Sequence, residues 1–166
     1  VLVCNTTTPG WLKSDRQYGD FVLELDFKLP PRGNSGVYLR SPGEGNLSRT
    51  GMEIQIVEES TWESELRLDN RTGAIWQIAG HRESVQKPVG EWNTMQMRCE
   101  GDVIQVTLNG TMVLDATVAE YVRPQSGFLG ISNWQGQANG TEFRNIRIRP
   151  FDGREMRVYN QTMRGG

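Results

Sequence analysis

Apolar and polar residues alternate along most of this chain with a period of two. Between residues 51 and 57, Met52, Ile54 and Ile56 alternate with Glu53 and Gln55. That is the pattern of a strand with one face on a core and the other outward. Phe21, Leu23, Leu25 and Phe27 form another such face. Val37 and Leu39 form a third, with Tyr38 and Arg40 on its polar side. The pattern predicts strands over residues 1–4, 19–29, 35–40, 51–57, 74–78, 92–100, 103–108, 112–116, 128–132 and 142–149. Asn109-Gly110 between two apolar runs is a strong hairpin signal, because a type I′ turn needs positive φ at both positions. Gly101-Asp102 closes the preceding hairpin, so residues 92–116 form a three-strand meander. Short strands bounded by turn signals predict an all-β sandwich or barrel.

Three polar stretches interrupt this rhythm, at residues 41–50, 58–72 and 133–139. Loops of that kind on a sandwich commonly rim a binding surface. Residues 1–150 are expected to form one domain, and residues 151–166, which lack a strand pattern, a tail or linker. The chain of 166 residues is long enough for one domain with a substantial core. A net charge of -2 gives no broad basic field for nucleic acid or an anionic membrane. No apolar run approaches the ~20 residues of a membrane-spanning helix. The start at Val1 is that of a processed or excised fragment, so the absence of a leader says nothing about export, and attachment to other domains in the full-length protein stays open.

Cys4 and Cys99 each lie in an apolar run, as buried thiols would; an oxidising compartment would allow a disulfide between them. His81 is the sole histidine, and no Cys/His spacing fits zinc. Asn-x-Ser/Thr sequons occur at Asn5, Asn46, Asn70, Asn109, Asn139 and Asn160, and matter only in a glycosylating host.

The candidate chemistry sits on the Glu53 strand. Glu53 and Gln55 are ~6.6 Å apart on one face, about the width of a sugar ring. The polar link between the Val37 and Ile54 strands makes them antiparallel neighbours, which would bring Arg40 beside Glu53 or Gln55. A guanidinium next to a carboxylate is a common polar-ligand site and an equally common structural ion pair.

Several segments resemble the 3-keto-disaccharide hydrolase domain family. They are Asn34-Ser35-Gly36-Val37-Tyr38-Leu39-Arg40, Gly51-Met52-Glu53-Ile54-Gln55-Ile56, Thr72-Gly73-Ala74-Ile75 and Lys87-Pro88-Val89-Gly90-Glu91-Trp92. Val106-Thr107-Leu108-Asn109-Gly110 and Phe143-Arg144-Asn145-Ile146-Arg147-Ile148 continue the series. The resemblance implies a concanavalin A-like jelly-roll sandwich of two curved antiparallel sheets, with a strand before Val1, and an exported bacterial protein. It also implies a saccharide oxidised at C3. The ketone acidifies the C2 hydrogen, a base removes it, the aglycone leaves C1, and water adds to the enone. On this reading Glu53 is the base, Arg40 holds the enolate oxygen and His81 assists proton transfer. Gln55, Tyr38, Lys87, Asn133 and Trp134 would bind the sugar, with Trp134 stacking on it. Trp76 and Trp92 are assigned to the core.

Two other readings share the strand. Glu53-x-Gln55-x-x-Glu58 is similar to the Glu-x-Asp-x-x-Glu motif of retaining glucanases, with Glu58 as acid/base. Gln55 in place of the central Asp ranks this second. A lectin-like module would bind sugar through Trp134, Trp76 and Arg40 without turnover. No cofactor is expected, although Asp69-Asn70 is a weak Ca²⁺ candidate for such a module.

Overall fold

The computed structural model describes residues 1–5, 8, 10–118, 124–133, 140–151 and 164–165. The strands are β1 (Leu2–Cys4), β2 (Gly10–Tyr18), β3 (Phe21–Lys28), β4 (Asn34–Ser41), β5 (Met52–Val57) and β6 (Trp92–Glu100). They continue as β7 (Val103–Leu108), β8 (Thr111–Thr117), β9 (Gly127–Asn133), β10 (Thr141–Pro150) and β11 (Arg164–Gly165). Among the described residues, helix is confined to single turns, α1 (Leu47–Thr50) and α2 (Glu59–Trp62), and a 3-10 turn at Leu68–Asn70.

Two antiparallel sheets form a sandwich. One runs β1-β10-β3-β6-β7-β8 and the other β11-β2-β9-β4-β5. The alternation explains the core between them. Phe21, Leu23, Leu25 and Phe27 of β3 and Met95, Met97 and Cys99 of β6 meet Val37, Leu39, Met52, Ile54 and Ile56 of β4 and β5. Each fully buried side chain of this size contributes roughly 1.5–3 kcal/mol. The β7–β8 turn has the expected geometry, with φ 51° at Asn109 and 85° at Gly110. Both cysteines are free, Cys4 half-buried and Cys99 buried. Burial pushes the Cys4 thiol up to about 11 and the Cys99 thiol up to about 12.

Three expectations are corrected, the first being that no strand was expected over residues 10–18. β2 carries only Trp11, Leu12 and Tyr18 as large apolar groups, and a bulge between Lys13 and Gln17 breaks its alternation. Residues 74–78 do not make a strand. Ile75 bonds both ways with Ala79, so the chain turns back on itself, with Gln77 at φ 59°. Trp92 lies on the outer face of its sheet, where Lys28 and Arg144 approach its ring, with Arg144 Cζ at 3.9 Å from the centroid. In the C-terminal segment, Arg164–Gly165 pair with β2 as an added strand; residues 152–163 lie outside the described residues.

Arg40 departs furthest from the alternation. Its φ of 49° is left-handed, and the β4–β9 register shifts between Tyr38 and Ser41. This bulge turns the side chain from the outer face into the end of the sandwich, where Arg40 is 1% exposed. There it donates from Nε to Gly19 O (3.0 Å), from Nη1 to Gly101 O (2.6 Å) and from Nη2 to Asp20 Oδ1 (2.8 Å). Asp20 also accepts from Gly101 N. The guanidinium thus joins β4 of one sheet to the β2–β3 and β6–β7 turns.

Arg40 is buried while Asp20 is 43% exposed, so the main loss on truncating Arg40 is the two carbonyls left without a donor, at about 1–3 kcal/mol each. Arg40→Ala is expected to lower the thermal midpoint by roughly 6–15 °C. Arg40→Lys should recover less than half of that, because an ammonium cannot reproduce the three-way fork. Thermal melts of the two variants check this; a wild-type midpoint in Arg40→Ala would refute it.

Candidate functional site

The outer face of the β2-β9-β4-β5 sheet gathers the polar side chains that the alternation directs away from the core. Register pairs Lys13 with Gly130, Gly130 with Tyr38 and Tyr38 with Glu53, making one row across four strands. Trp11 with Ser132, and Gly36 with Gln55, make the next. Beyond β5, the segment around Ile75 continues the sheet. Trp76 N donates to Glu53 O, Gln55 N to Ala74 O and Gly73 N to Gln55 O. The register therefore sets half-buried Trp76 beside Glu53 on the outer face, not in the core.

Two glycines shape this face. A Cβ on Gly36 would lie 2.9 Å from Glu53 Cδ, so the carboxylate occupies space that a β4 side chain would fill. A Cβ on Gly130 would lie 2.6 Å from Trp11 Cζ3, so the indole brings an edge of its ring close to the β9 backbone. Between them stands Tyr38, edge-on to Trp11 at 5.8 Å and 85°. Ser132 Oγ donates to Glu53 Oε1 at 3.5 Å, and Gln55 Nε2 to Asn34 Oδ1 at 3.3 Å. Glu53, Gln55 and Tyr38 are each less than 10% exposed, so the face is recessed.

The structure thus brings together Glu53, Gln55 and Tyr38 of the sequence-predicted residues. Arg40 is at the end of the sandwich, as described, and is not beside Glu53. Asn133 sits at the end of β9, where its Nδ2 donates to Thr8 O. Trp134 lies outside the described residues. His81 is not an exposed loop histidine: it is buried, with Nε2 3.0 Å from Thr72 O and its ring near Gly73.

Glu58 and Lys87 line a different cleft of about 570 Å³, together with Glu59, Arg71, Gln86 and Pro88. Glu58 lies just past the end of β5 and lines this other cleft, so it does not join Glu53. Its carboxylate caps α2, accepting from Ser60 and Thr61 at both backbone and hydroxyl. Burial alone would raise the Glu58 carboxyl, but these bonds, with Arg32 N, hold it below the usual range. Neighbouring Glu59 is raised by burial, against the Thr72 N–H and Arg71 that favour its charge. Lys87 Nζ donates to Trp92 O. Asp69 is paired with Arg67, and among the described residues no three His, Cys, Asp or Glu side chains converge as metal ligands.

Trp11, Lys13, Asn34 and Ser132 were not among the predicted residues. The signal for the first two was Trp11-x-Lys13, an i, i+2 pair on a strand too polar to stand out. Ser132 was placed on a strand, but nothing in the sequence tied it to Glu53.

A domain family described as 3-keto-alpha-glucoside-1,2-lyase-like matches residues 1–149. No curated protein sequence matches the chain. Among solved structures, a Parabacteroides distasonis protein provisionally assigned as a glycosyl hydrolase is 27% identical, with a TM-score of 0.77. That match covers 87% of this chain and 84% of that one. The carbohydrate-binding module CBM66 from Bacillus subtilis is 19% identical with a TM-score of 0.59, covering 85% and 83%. Chicken galectin 2 is 7% identical with a TM-score of 0.56, covering 86% and 100%. The last two share the fold, which is the expected jelly-roll sandwich. No helix among the described residues is long and apolar enough to cross a membrane.

Burial holds the His81 imidazole below its ordinary value, with Arg71 acting in the same direction and the Thr72 carbonyl against it. The folded protein therefore keeps His81 neutral at pH values where an unfolded chain would already protonate it. Its contribution to stability is complete above about pH 6.5 and is lost as pH falls toward the depressed folded value. Thermal melts between pH 7.5 and 5.5 should show a decline that is shallower in His81→Gln. Parallel declines in the two proteins would contradict this.

Proposed function

Because the chain belongs to the 3-keto-alpha-glucoside-1,2-lyase-like domain family, we propose that it cleaves 3-keto-glycosides with Glu53 as the base. The observation that carries this reading is the Glu53 carboxylate packed over Gly36, recessed in a face whose other groups are neutral donors, aromatic rings and Lys13. A 3-ketone makes the C2 hydrogen acidic, so a single positioned carboxylate can start the reaction. Glu53 takes the C2 proton, and the electron pair moves onto the C3 oxygen as an enolate. The enolate collapses to restore the ketone, a C1=C2 double bond forms, and the C1–oxygen bond to the aglycone breaks. The leaving oxygen takes up a proton. Water then adds its oxygen to C1 and a proton to C2, giving the free 3-keto sugar and the aglycone. Ser132, which bonds Glu53, and Gln55, two residues along the same strand, supply the hydrogen bonds that orient the sugar. Arg40 has no part in this scheme, since all three guanidinium nitrogens are engaged at the far end of β4. An exported setting, which the family resemblance implied, belongs to the same reading.

General-base catalysis typically contributes 10²–10⁴-fold. Glu53→Gln should therefore lower aglycone release from a 3-keto-glucoside by at least about 100-fold, while sugar binding persists. Retention of full turnover would remove Glu53 from the base role. Glu58→Ala should cost about 1 kcal/mol of stability through the lost α2 cap and leave turnover within a few-fold of wild type. Abolished turnover in a folded Glu58→Ala protein would restore the glucanase-like alternative.

A second reading has a specific observation in its favour. One carboxylate, two amides and an indole on one recessed face are a complete sugar-recognition set without any reaction. Binding of saccharide with no product from either a 3-keto-glucoside or its unoxidised parent would make the protein a carbohydrate-binding module.

A further inference from the structure

The reaction proposed above needs more than a base. As the C2 proton leaves, negative charge gathers on the C3 oxygen, and a donor already aimed at that oxygen lowers the barrier most. Arg40, the cation that the sequence offered for this task, is locked at the end of the sandwich. His81 is buried against Thr72 O. Ser132 Oγ and Gln55 Nε2 already donate to Glu53 and Asn34. Lys13 begins the row that runs through Gly130 and Tyr38 to Glu53, so it stands three strand spacings away, ~14 Å at the backbone.

The neighbour on the other flank of Glu53 is Trp76. The chain after Gly73 runs antiparallel to β5, with Ile54 bridged to Ile75. Gln55 N donates to Ala74 O at 3.0 Å and Trp76 N to Glu53 O at 2.8 Å. Ile54 and Ile75 are both fully buried in the core. Glu53 and Trp76, one residue on from each, therefore face outward as a directly opposed pair with Cβ atoms ~5 Å apart. The turn that follows is held tight. Ile78 N and Ala79 N both donate to Ile75 O, and Gln77 N donates to Asp69 O. The indole is half-buried, and its Nε1–H has no hydrogen-bond partner among the described residues. A partly buried indole N–H usually has one. An unpaired donor on a rigid frame beside the base is what a charge developing on the adjacent carbon's oxygen requires.

We infer that Trp76 is a catalytic residue, whose indole N–H donates to the C3 oxygen of a 3-keto sugar and bonds it more strongly as that oxygen becomes an enolate. Glu53 and Trp76 then act on adjacent carbons of one ring. Glu53 takes the C2 proton, and Trp76 holds the charge that the electron pair carries to oxygen. A neutral donor suits this step, because it stabilises the enolate without protonating it. The pair stays free to return and expel the aglycone. The inference rests on the reading of Glu53 as the base, and the test separates the two.

The 3-keto form of 1,5-anhydroglucitol has the C2 hydrogen and the C3 ketone but no group to expel from C1. In D2O the protein should exchange that hydrogen. Glu53 takes the proton, the carboxyl exchanges with solvent, and deuterium returns to C2; proton NMR follows the loss of signal. Glu53→Gln should abolish the exchange. Trp76→Phe, which keeps a flat ring but lacks the N–H, should slow it by about 10- to 100-fold, the effect of one hydrogen bond to a charged group. The kcat for a 3-keto-glucoside should fall by the same factor. Calorimetric affinity for the unoxidised glucoside, which has no C3 carbonyl, should stay within about twofold. Benzothienylalanine at position 76, with sulfur in place of the N–H, repeats the comparison if Trp76→Phe does not fold.

Exchange at the wild-type rate in Trp76→Phe would overturn the donor and leave Glu53 in place. An equal loss of affinity for the unoxidised glucoside would also overturn it, since that is the mark of a lost packing contact. Exchange that survives Glu53→Gln but falls in Trp76→Phe upholds the donor and removes the base. No exchange by the wild-type protein overturns both.

Discussion

A residue on β5 has two places to go, and the register with β4 decides which. Six consecutive pairs, from Asn34 with Val57 to Leu39 with Met52, run without a bulge. That continuity sends Met52, Ile54 and Ile56 into the core and Glu53 and Gln55 to the opposite face. A slip of one residue would exchange the two sets, burying a carboxylate and an amide while exposing three large apolar side chains. The energetic gap between those registers is several side-chain burials, each worth roughly 1.5–3 kcal/mol. The position of the candidate site is therefore a by-product of core packing. Glu58 is separated from Glu53 because β5 ends before it and its carboxylate turns to cap α2.

Where the register does break, the structure uses the break to redirect a side chain. The bulge at Arg40 takes a charge that alternation would place on the outer face and turns it into the end of the sandwich. A second bulge, in β10 between Arg144 and Arg147, has Asn145 at φ 54°. Asn145, Thr94 and Arg144 then all bond Asp26. Burial would raise the Asp26 carboxyl, but these bonds hold it below its usual range. The first bulge makes an arginine a tie between elements that the ladders alone do not join, and the second adds side-chain bonds across a pair that the β3–β10 ladder already joins.

The legible part of this protein in its sequence is the part governed by local period. β6 and β7 occupy the residues that alternation assigns to them, and the Asn109-Gly110 turn has the backbone its composition demands. The two-sheet sandwich and the polar face of β5 followed from the same rule. Arg40, His81 and Trp92 went elsewhere because their environments are set by other segments: the β2–β3 and β6–β7 turns, the Thr72 carbonyl, and two cations across the strand. Trp11 escaped notice for the opposite reason. Its strand is mostly polar, and its partner in shape is a glycine more than a hundred residues away. Contacts of that kind depend on the absence of a side chain, which alternation cannot signal.

The edge of the site sheet has a consequence for how the protein meets its neighbours. A bare outer strand is a template onto which another chain can zip. β5 would be such a strand, but Gly73, Ala74 and Trp76 already occupy the outward backbone groups of Glu53 and Gln55. A passing peptide finds no ladder to extend there. The peptide units that carry the carboxylate and the amide are clamped from both sides, by β4 and by this short flap of chain. The floor beneath any bound ligand is thus protected against strand exchange at the place where a lengthened or frayed sheet would disturb it most.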